Sequence, residues 1–558
     1  MAASRYTPLI DPRILPHERP LMPGSPATPA HPMARRIAYA AIGVLIALTA
    51  GLGNGLLIAN LPQIQGALGL TSVEAGWISA AYSMTNVCTS FMLIRFRQHF
   101  GLQRLTRVFL IGFVVLSGLQ VLVHSYGTEL AMRLAAGIVT AGFTPLGFFY
   151  LMQAMPATGR LKGMIIGVGL TQLGSPLARF LSPLLLANGE ITDLYVFEFG
   201  LALTCLGAVA LLRLPPSERV PAFEPLDALT FALFAPGIAL LCAVLVQGRI
   251  VWWTTPWLGG AIAASILLIG IAMVIEHGRA NPMLNTRWMG SGAMLRFALV
   301  AATMRLLLSE QNYGSVGLLG VVGMGPDQLV PFWGVVCLAT LAALAASVVT
   351  LNARDLMWPL VVSATMIAVG AFMDADASSL TRATNLYASQ AIIAFAAMFF
   401  VGPTMMEGVL RAIAKGPSHL VSYSAVFGIA QTLGGLGGGA ILGTFQIVRE
   451  KFHSHELVQT ILPTNPAVAA RLQTLGGAYA RVSTDPVARE AQGAAMLSRQ
   501  VTLEANILAY NDVFLLIAVV STMAAVGLGA RWLYFRQRGI NPLQNELQAL
   551  QTMLANRR

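Results

Sequence analysis

The chain has 558 residues and a formal net charge of +11, yet only 11% of its residues are charged and 56% are hydrophobic, with a mean hydropathy of +0.68. So apolar a chain cannot cover a water-facing surface, and this excludes a soluble globular fold. Its apolar stretches have about the length at which a helix crosses a bilayer. The composition therefore predicts an all-α polytopic membrane protein.

About fourteen apolar stretches follow one another along the chain. The predicted spans are 37–60, 75–94, 107–124, 129–153, 163–187, 193–213, 226–246, 257–275, 295–318, 329–349, 356–374, 384–409, 420–447 and 512–535.

The basic residues predict the orientation of these spans. Lys and Arg are concentrated in the termini and in the even-numbered loops, whereas the short odd-numbered loops hold only Arg249 and Arg382. Because positive charge in short loops resists translocation, both termini are expected in the cytoplasm. The net positive charge is expected to meet anionic lipid headgroups, and no nucleic-acid partner is expected.

Three hydrophilic segments lie outside the spans. Residues 1–35 are rich in Pro and lack an apolar pattern, which predicts a disordered cytoplasmic tail. The long segment 449–511 is expected to face outward, and its stretch 485–510 predicts a helix. This outer segment is either a lid on the outer face or a docking surface.

The third segment, residues 537–558, is predicted to be an amphipathic cytoplasmic helix. The leucines that recur at helical spacing in it are Leu543, Leu547, Leu550 and Leu554.

Several short motifs follow the order and spacing of a known family. In chain order they are Asn60-Leu61-Pro62, Trp77, Arg133-Leu134-Ala135-Ala136-Gly137, Gly174-Ser175-Pro176, Glu276 with Asn281-Pro282, and Gln431-Thr432-Leu433-Gly434-Gly435. Together they resemble the fourteen-helix drug:proton antiporters of the major facilitator superfamily.

The resemblance implies a major facilitator fold with two six-helix bundles, at 36–215 and 291–536, and two additional helices at 216–290. A substrate cavity between the bundles and alternating access follow from that fold. The resemblance also implies a multi-pass protein of a bacterial inner membrane, with a periplasmic adaptor and an outer-membrane channel as possible partners. Gly174, Pro176, Gly434 and Gly435 are then gating or helix-packing residues.

Three departures from the family pattern bear on the mechanism. The acid that the family usually has in span one is replaced by Gly53, with Asn54 beside it. The charged loop after span two retains Gly101 and Arg104 as gating candidates but has Gln98 where the family has Asp. In span five, a Gly pair is replaced by Arg179-Phe180.

Ionisable residues inside the spans are costly and normally face a cavity or a partner. Glu198, Arg133 and Arg179 all fall in the outer half of the first bundle, counted at 1.5 Å per residue. They are therefore proton-coupling candidates, with Glu198 replacing the acid missing from span one. The alternative is a permanent pair of Glu198 with Arg179 or Arg133 that only fixes helix packing.

In span nine, Arg305 is expected near the midplane and Glu310 further out. Arg305 is a candidate for binding an acidic or zwitterionic substrate, since Arg recognises carboxylates. Asn54 and Asn60 are further cavity candidates, and Glu310 is a further coupling candidate. The alternative is that Arg305 forms an ion pair, either with Glu310 or between the bundles, that stabilises one access state.

No enzyme activity, metal or cofactor is expected. The glycine runs in spans five and thirteen lack the Lys-Ser/Thr of a phosphate loop and suit close helix packing. The four cysteines lie far apart within apolar spans.

The leading hypothesis is a proton-coupled exporter of small amphipathic, drug-like or organic-acid-like compounds. The alternatives are a proton symporter for uptake of an organic acid and a non-transporting sensor or assembly protein.

Overall fold

The computed structural model describes residues 14–15, 18–19 and 24–555, apart from 123–124, 157–158, 220–222, 353–354, 417–418, 463 and 483. Almost all of this part of the chain is helical. The α-helices are α1 (Met33–Ala59), α2 (Leu61–Ala67), α3 (Ser72–Phe100), α4 (Leu102–Leu122), α5 (Tyr126–Thr140), α6 (Phe143–Ala154), α7 (Arg160–Leu185), α8 (Ile191–Leu211), α9 (Pro225–Gln247), α10 (Pro256–His277), α11 (Thr286–Met289), α12 (Gly292–Leu307), α13 (Val316–Val321), α14 (Val330–Thr350), α15 (Trp358–Asp374), α16 (Tyr387–Lys415), α17 (His419–Thr460), α18 (Pro466–Gly477), α19 (Pro486–Gln537) and α20 (Gln544–Ala555).

These helices form fourteen spans. Twelve spans are long and apolar enough to cross a membrane; α5 with α6 makes one of them, and α12, the π-helix Glu310–Ser315 and α13 make another. The 29-residue α3 and the 17-residue α15 complete the set. Each span overlaps one predicted stretch, so the polytopic all-α prediction is confirmed.

The spans are arranged as two six-helix bundles and two additional helices. In the N-terminal bundle, α1 packs against α6 and α7, α3 against α5, and α4 against α8. In the C-terminal bundle, α12 packs against α17, α14 against α16, and α15 against α16 and α19. The bundles meet where α7 contacts α14 and where α3 contacts α17. The additional helices α9 and α10 pack together, and α9 also contacts α3 and α17.

Residues 24–32 and the start of α20 lie on one face, which we call the terminal face. The opposite face, which carries α18, is the distal face. Residues 24–32 pack on the terminal face. The backbone N–H of Ala27 donates to the carbonyl oxygen of Pro216 (2.8 Å), and the side chains of Gln153 and Arg160 donate to the carbonyl oxygens of Ala27 and Thr28. This part of the tail is therefore ordered, unlike the prediction for residues 1–35, because bundle side chains satisfy its backbone. Residues 1–13, 16–17 and 20–23 lie outside the described residues.

The ends of α9 and α10 are joined by one arginine on the terminal face. The guanidinium of Arg279 lies 2.6 Å from Glu276, 2.8 Å from Asp227 and 2.9 Å from Glu224. The hydroxyl of Thr230 also donates to Glu276 (2.6 Å). The Glu276 motif seen in the sequence thus holds the two additional helices together.

The predicted helix at 485–510 is confirmed as the first half of α19, a single helix of 52 residues that continues through the last span. α18 runs back along it, so that a Cβ on Gly493 would lie 2.7 Å from the carbonyl oxygen of Leu472. Most side chains from 456 to 504 are exposed. The outer segment is therefore a helical projection with a large exposed surface.

In the N-terminal bundle, α1 and α7 approach so closely that their backbones touch. A Cβ on Gly174 would lie 2.4 Å from the backbone of Gly51, and a Cβ on Gly51 would lie 2.1 Å from the carbonyl oxygen of Thr171. Small residues permit such contacts between helices in a membrane. The helix-packing role predicted for Gly174 thus has a geometric basis.

We expect Gly174→Ala to destabilise the protein by about 1–3 kcal/mol, because the added methyl group overpacks a contact between two backbones. The midpoint of thermal unfolding of the purified protein measures the effect. The matched control is Gly200→Ala in α8, where a Cβ meets nothing within 4 Å. An unchanged midpoint for Gly174→Ala would contradict the packing argument.

Candidate functional site

Two adjacent cavities, of about 270 and 80 Å³, lie between the bundles. The larger one is lined by α3, α6, α7, α16 and α17, and the smaller one by α7, α12, α14, α16, α17 and the π-helix. Gln172, Val401 and Gln431 line both cavities. We call the two together the central cavity, which is at the position expected for a substrate.

The lining of the central cavity contains unsatisfied polar groups. Among the described residues, neither the amide oxygen nor the amide nitrogen of Gln431 has a hydrogen-bond partner. Asn86 also lines the cavity, but its amide donates to the carbonyl oxygen of Gly137 (3.2 Å). Because an unpaired amide in an apolar environment is costly, Gln431 is available to bind a polar group of a ligand.

Arg305 supplies a positive charge to the same cavity. A Cβ on Gly434 would lie 2.7 Å from the carbonyl oxygen of Ala302, and a Cβ on Gly435 would lie 3.4 Å from Nε of Arg305. The two glycines of α17 thus bring α12 close and leave space for the guanidinium. In the described part of the chain, no carboxylate lies within ion-pair distance of Arg305, so the alternative pair with Glu310 is not formed.

Glu310 instead belongs to a buried carboxyl pair. The amide of Gln390 donates to Glu310 (3.0 and 3.2 Å) and to Oδ2 of Asp374 (2.8 Å), and the hydroxyl of Ser315 donates to Glu310 (2.5 Å). The next residue, Gln311, lines the central cavity and also donates to Gln390. The carboxyl pair is therefore one residue away from the cavity wall.

In the N-terminal bundle, Arg133 pairs with Glu129 rather than with Glu198. The two side chains are buried, with Nε of Arg133 2.9 Å from Oε1 of Glu129. Glu129 also accepts from the hydroxyl of Tyr195 (3.3 Å) and the amide of Gln120 (3.4 Å). Arg133 thus pairs with Glu129 within its own helix, and Glu129 joins this pair to α8 through Tyr195.

Glu198 lies directly beside the position where the family acid is missing. Its Oε1 is 3.2 Å from the point that a Cβ on Gly53 would occupy. Among the residues that the structure describes, no side chain forms a hydrogen bond or an ion pair with Glu198, although it is buried. The carboxylate that span six supplies therefore fills the space that Gly53 leaves in span one.

Arg179 contacts the other bundle. Its guanidinium stacks on the ring of Trp333 at 4.8 Å, near the distal ends of α7 and α14. A Cβ on Gly334 would lie 3.4 Å from the ring of the neighbouring Phe180. The predicted pair of Arg179 with Glu198 is not formed, because Arg179 points across the bundle interface.

The remaining candidates have different roles. Asn60 is buried, donates to the carbonyl oxygen of Leu56 (2.7 Å) and accepts from the hydroxyl of Ser182, so it joins α1 to α7 and does not line the cavity. Asn54 is half-buried outside the cavity lining. Pro176 lines the smaller cavity.

In the loop after span two, Gly101, Arg104 and Gln98 have different surroundings. Gly101 ends α3 with a φ of 85°, a conformation that favours glycine. Arg104 is exposed at the start of α4. Gln98 packs against Gly24 of the N-terminal segment, whose Cβ position lies 3.1 Å from it.

Sequence reasoning missed Asp374, Gln390 and Gln172, and it valued Gln431 only as part of a motif. The available signals were uncharged glutamines within apolar spans, at 172, 390 and 431, and a carboxylate at the end of a predicted span, at 374.

No family model matches the chain. Over 241 residues it is 26% identical to the major facilitator superfamily multidrug transporter mfsC of Aspergillus fumigatus, a match that covers 42% of the chain and 45% of that protein. The solved structures that resemble it include the human organic anion transporter MFSD10, with a TM-score of 0.53 and 15% identity over 88% of this chain and 100% of that one. They also include a bacterial homologue of the human drug peptide transporters PepT1 and PepT2, with a TM-score of 0.54 and 13% identity over 90% of this chain and 99% of that one. With its two bundles of spans around a central cavity, the chain therefore has the major facilitator fold, which is the fold of a multi-pass membrane protein.

Proposed function

We propose that the protein is a secondary active transporter that exports a small amphipathic compound by alternating access, with the terminal face in the cytoplasm of a bacterial cell. The observation that carries this proposal is the polar cavity between the two bundles, lined by the unpaired Gln431 and by Arg305. The partial match to a fungal multidrug transporter supports a compound of this class.

Alternating access needs contacts between the bundles that can open on either side of the cavity. On the distal side, Arg179 and Phe180 contact Trp333 and Gly334. On the terminal side, Leu161 of α7 packs in a cluster with Leu351 of α14. These contacts are small and mostly apolar, which suits interfaces that separate and re-form.

Arg305 favours an acidic or zwitterionic substrate. Arg305 lines the cavity, and no carboxylate of the described residues lies within ion-pair distance of it. Its charge therefore attracts an anionic ligand, and its planar guanidinium matches the geometry of a carboxylate. Gln431 lines the same cavity and adds uncharged donor and acceptor atoms.

Transport by purified protein in liposomes tests the function, with carboxyfluorescein as the anionic probe, ethidium as the cationic probe and protein-free liposomes as the blank. Antiport accumulates a probe in vesicles with an acidic interior, whereas symport accumulates it in vesicles with an alkaline interior. We expect antiport of carboxyfluorescein, and we expect Arg305→Gln to reduce it about tenfold or more while Arg305→Lys retains more activity.

Equal effects of Arg305→Gln on the two probes would contradict the role of Arg305 in charge recognition. Binding of a probe without movement at any pH would contradict transport and favour a sensor.

We further propose that the carboxyl pair of Glu310 and Asp374 carries the coupled proton. The two carboxylates share one amide, and in the described residues no cation lies within ion-pair distance of them. A state in which both are ionised is therefore strongly unfavourable. A proton on the pair removes this repulsion. Since Gln311 contacts Gln390 and lines the cavity, a change in the pair reaches the substrate site through adjacent residues.

We expect Glu310→Gln and Asp374→Asn, which imitate the protonated state, to reduce transport driven by a pH gradient about tenfold or more, while exchange of probe at equal pH is retained. The matched control is Asp376→Asn, which removes an exposed carboxylate two residues away. If only Glu198→Gln uncouples transport, the coupling role belongs to Glu198 beside Gly53.

The projection formed by α18 and the outer part of α19 supports a further proposal, that a periplasmic adaptor and an outer-membrane channel complete the export path. Its exposed surface is suited to docking. Deleting residues 455–505 should reduce export to the medium in cells, while transport in liposomes is unchanged. Undiminished export by the deletion variant would exclude such a partner.

A further inference from the structure

A second cavity system, of about 340 Å³, opens within the C-terminal bundle near the terminal face. α12, α15, α16 and α19 form its walls, and residues 539–543 close one side. Phe297, Leu360 and Leu528 are apolar parts of the lining. None of its lining residues lines the central cavity, so this terminal pocket is a separate site.

The terminal pocket is positively charged. Its charged lining consists of four arginines and two carboxylates, namely Arg296, Arg411, Arg531, Arg536, Asp355 and Glu407. The excess of positive over negative groups in a small space favours the binding of an anion.

Three of these six groups already have polar side-chain partners, and the guanidinium groups of Arg531 and Arg536 lie over the rings of Phe535 (5.3 Å) and Trp532 (5.1 Å). Arg411 lies 2.6 Å from Glu407, and Asp355 accepts from the indole N–H of Trp532 (3.0 Å). The Nε–H of Arg411, however, is buried and has no hydrogen-bond partner among the described residues. The pocket therefore contains a charged hydrogen-bond donor that has no acceptor among the described residues.

Arg296 and Arg531 provide the excess charge. In the described part of the chain, neither has a carboxylate within ion-pair distance. Arg531 lies within electrostatic range of Arg296 and Arg411, which repel it, and of Glu407, which attracts it. Like charges held close together in a partly apolar pocket need a counter-ion.

We propose that the terminal pocket is a binding site for a phosphate-bearing anion, which Arg296, Arg531 and the free Nε–H of Arg411 hold together. Guanidinium groups bind phosphate oxygens through paired donors, and phosphate is recognised wherever several arginines converge. The phosphate comes either from the headgroup of an anionic lipid or from a free phosphate ion. The apolar part of the lining accommodates the glycerol and first acyl carbons of a lipid.

Occupancy of the pocket also affects the C-terminal helix. The wall at 539–543 leads directly into α20, and Leu543 packs with Met406 and Leu410 of α16. Leu161 of the other bundle packs against the same cluster. An anion that fixes residues 539–543 therefore stabilises a contact that joins the two bundles on the terminal face.

Thermal unfolding of the full-length protein in neutral detergent tests the site by titration with short-chain phosphatidylglycerol, short-chain phosphatidylcholine or inorganic phosphate. We expect phosphatidylglycerol to raise the unfolding midpoint and phosphatidylcholine to leave it unchanged. Arg296→Gln combined with Arg531→Gln should weaken the apparent affinity about tenfold or more. Saturation by inorganic phosphate at a similar concentration identifies a free phosphate ion as the ligand.

The matched control combines Arg287→Gln with Arg538→Gln, two exposed arginines on the terminal face outside the pocket, and should retain the wild-type affinity. Because Arg296 and Arg531 repel each other in the empty pocket, their replacement should not lower the unfolding midpoint without ligand. If it does, the single variant Arg531→Lys, which keeps the charge but loses the paired donors, should still bind more weakly than wild type. No shift with any probe, or equal affinity in the pocket and control variants, would overturn the proposal.

Discussion

A polar group buried among apolar side chains needs a partner, since neither lipid nor a packed core supplies one. Arg133 meets this requirement with Glu129, and Arg279 meets it with three carboxylates. Both arrangements hold helices together. Among the described residues, the amide of Gln431 has no hydrogen-bond partner and Arg305 has no carboxylate within ion-pair distance, and both side chains line the central cavity. The groups available to a ligand are therefore those that lack such a partner and also face the cavity.

Glycines decide where those available groups can lie. Gly434 and Gly435 let α17 approach α12 and leave room for the side chain of Arg305. Gly53 does the same for Glu198, whose carboxylate reaches the surface of α1 from α8. The carboxylate of Glu198 in span six therefore lies against the position in span one at which the sequence resemblance leads us to expect an acid.

The spans were predictable because the length of an apolar stretch reports directly on crossing a membrane. The positions of Glu198 and Arg305 were partly predictable, because charges in apolar helices are rare. The partner of Arg179 was not predictable, since rotation about the helix axis decides whether Arg179 faces Glu198 or Trp333, and sequence spacing does not specify that rotation across bundles. The pair of Glu310 and Asp374 was missed for a similar reason: the two residues lie 64 positions apart and meet only through Gln390. The order of residues 24–32 also depends on contacts with distant loops.

The 52 residues of α19 form one uninterrupted helix from the distal projection to the edge of the terminal pocket. At 1.5 Å per residue this is a rod of about 78 Å. A tilt of about 10° around its midpoint displaces each end by about 7 Å in opposite directions. A tilt of this rod would therefore move Arg531 and the chain that leads into α20 in the direction opposite to the distal projection.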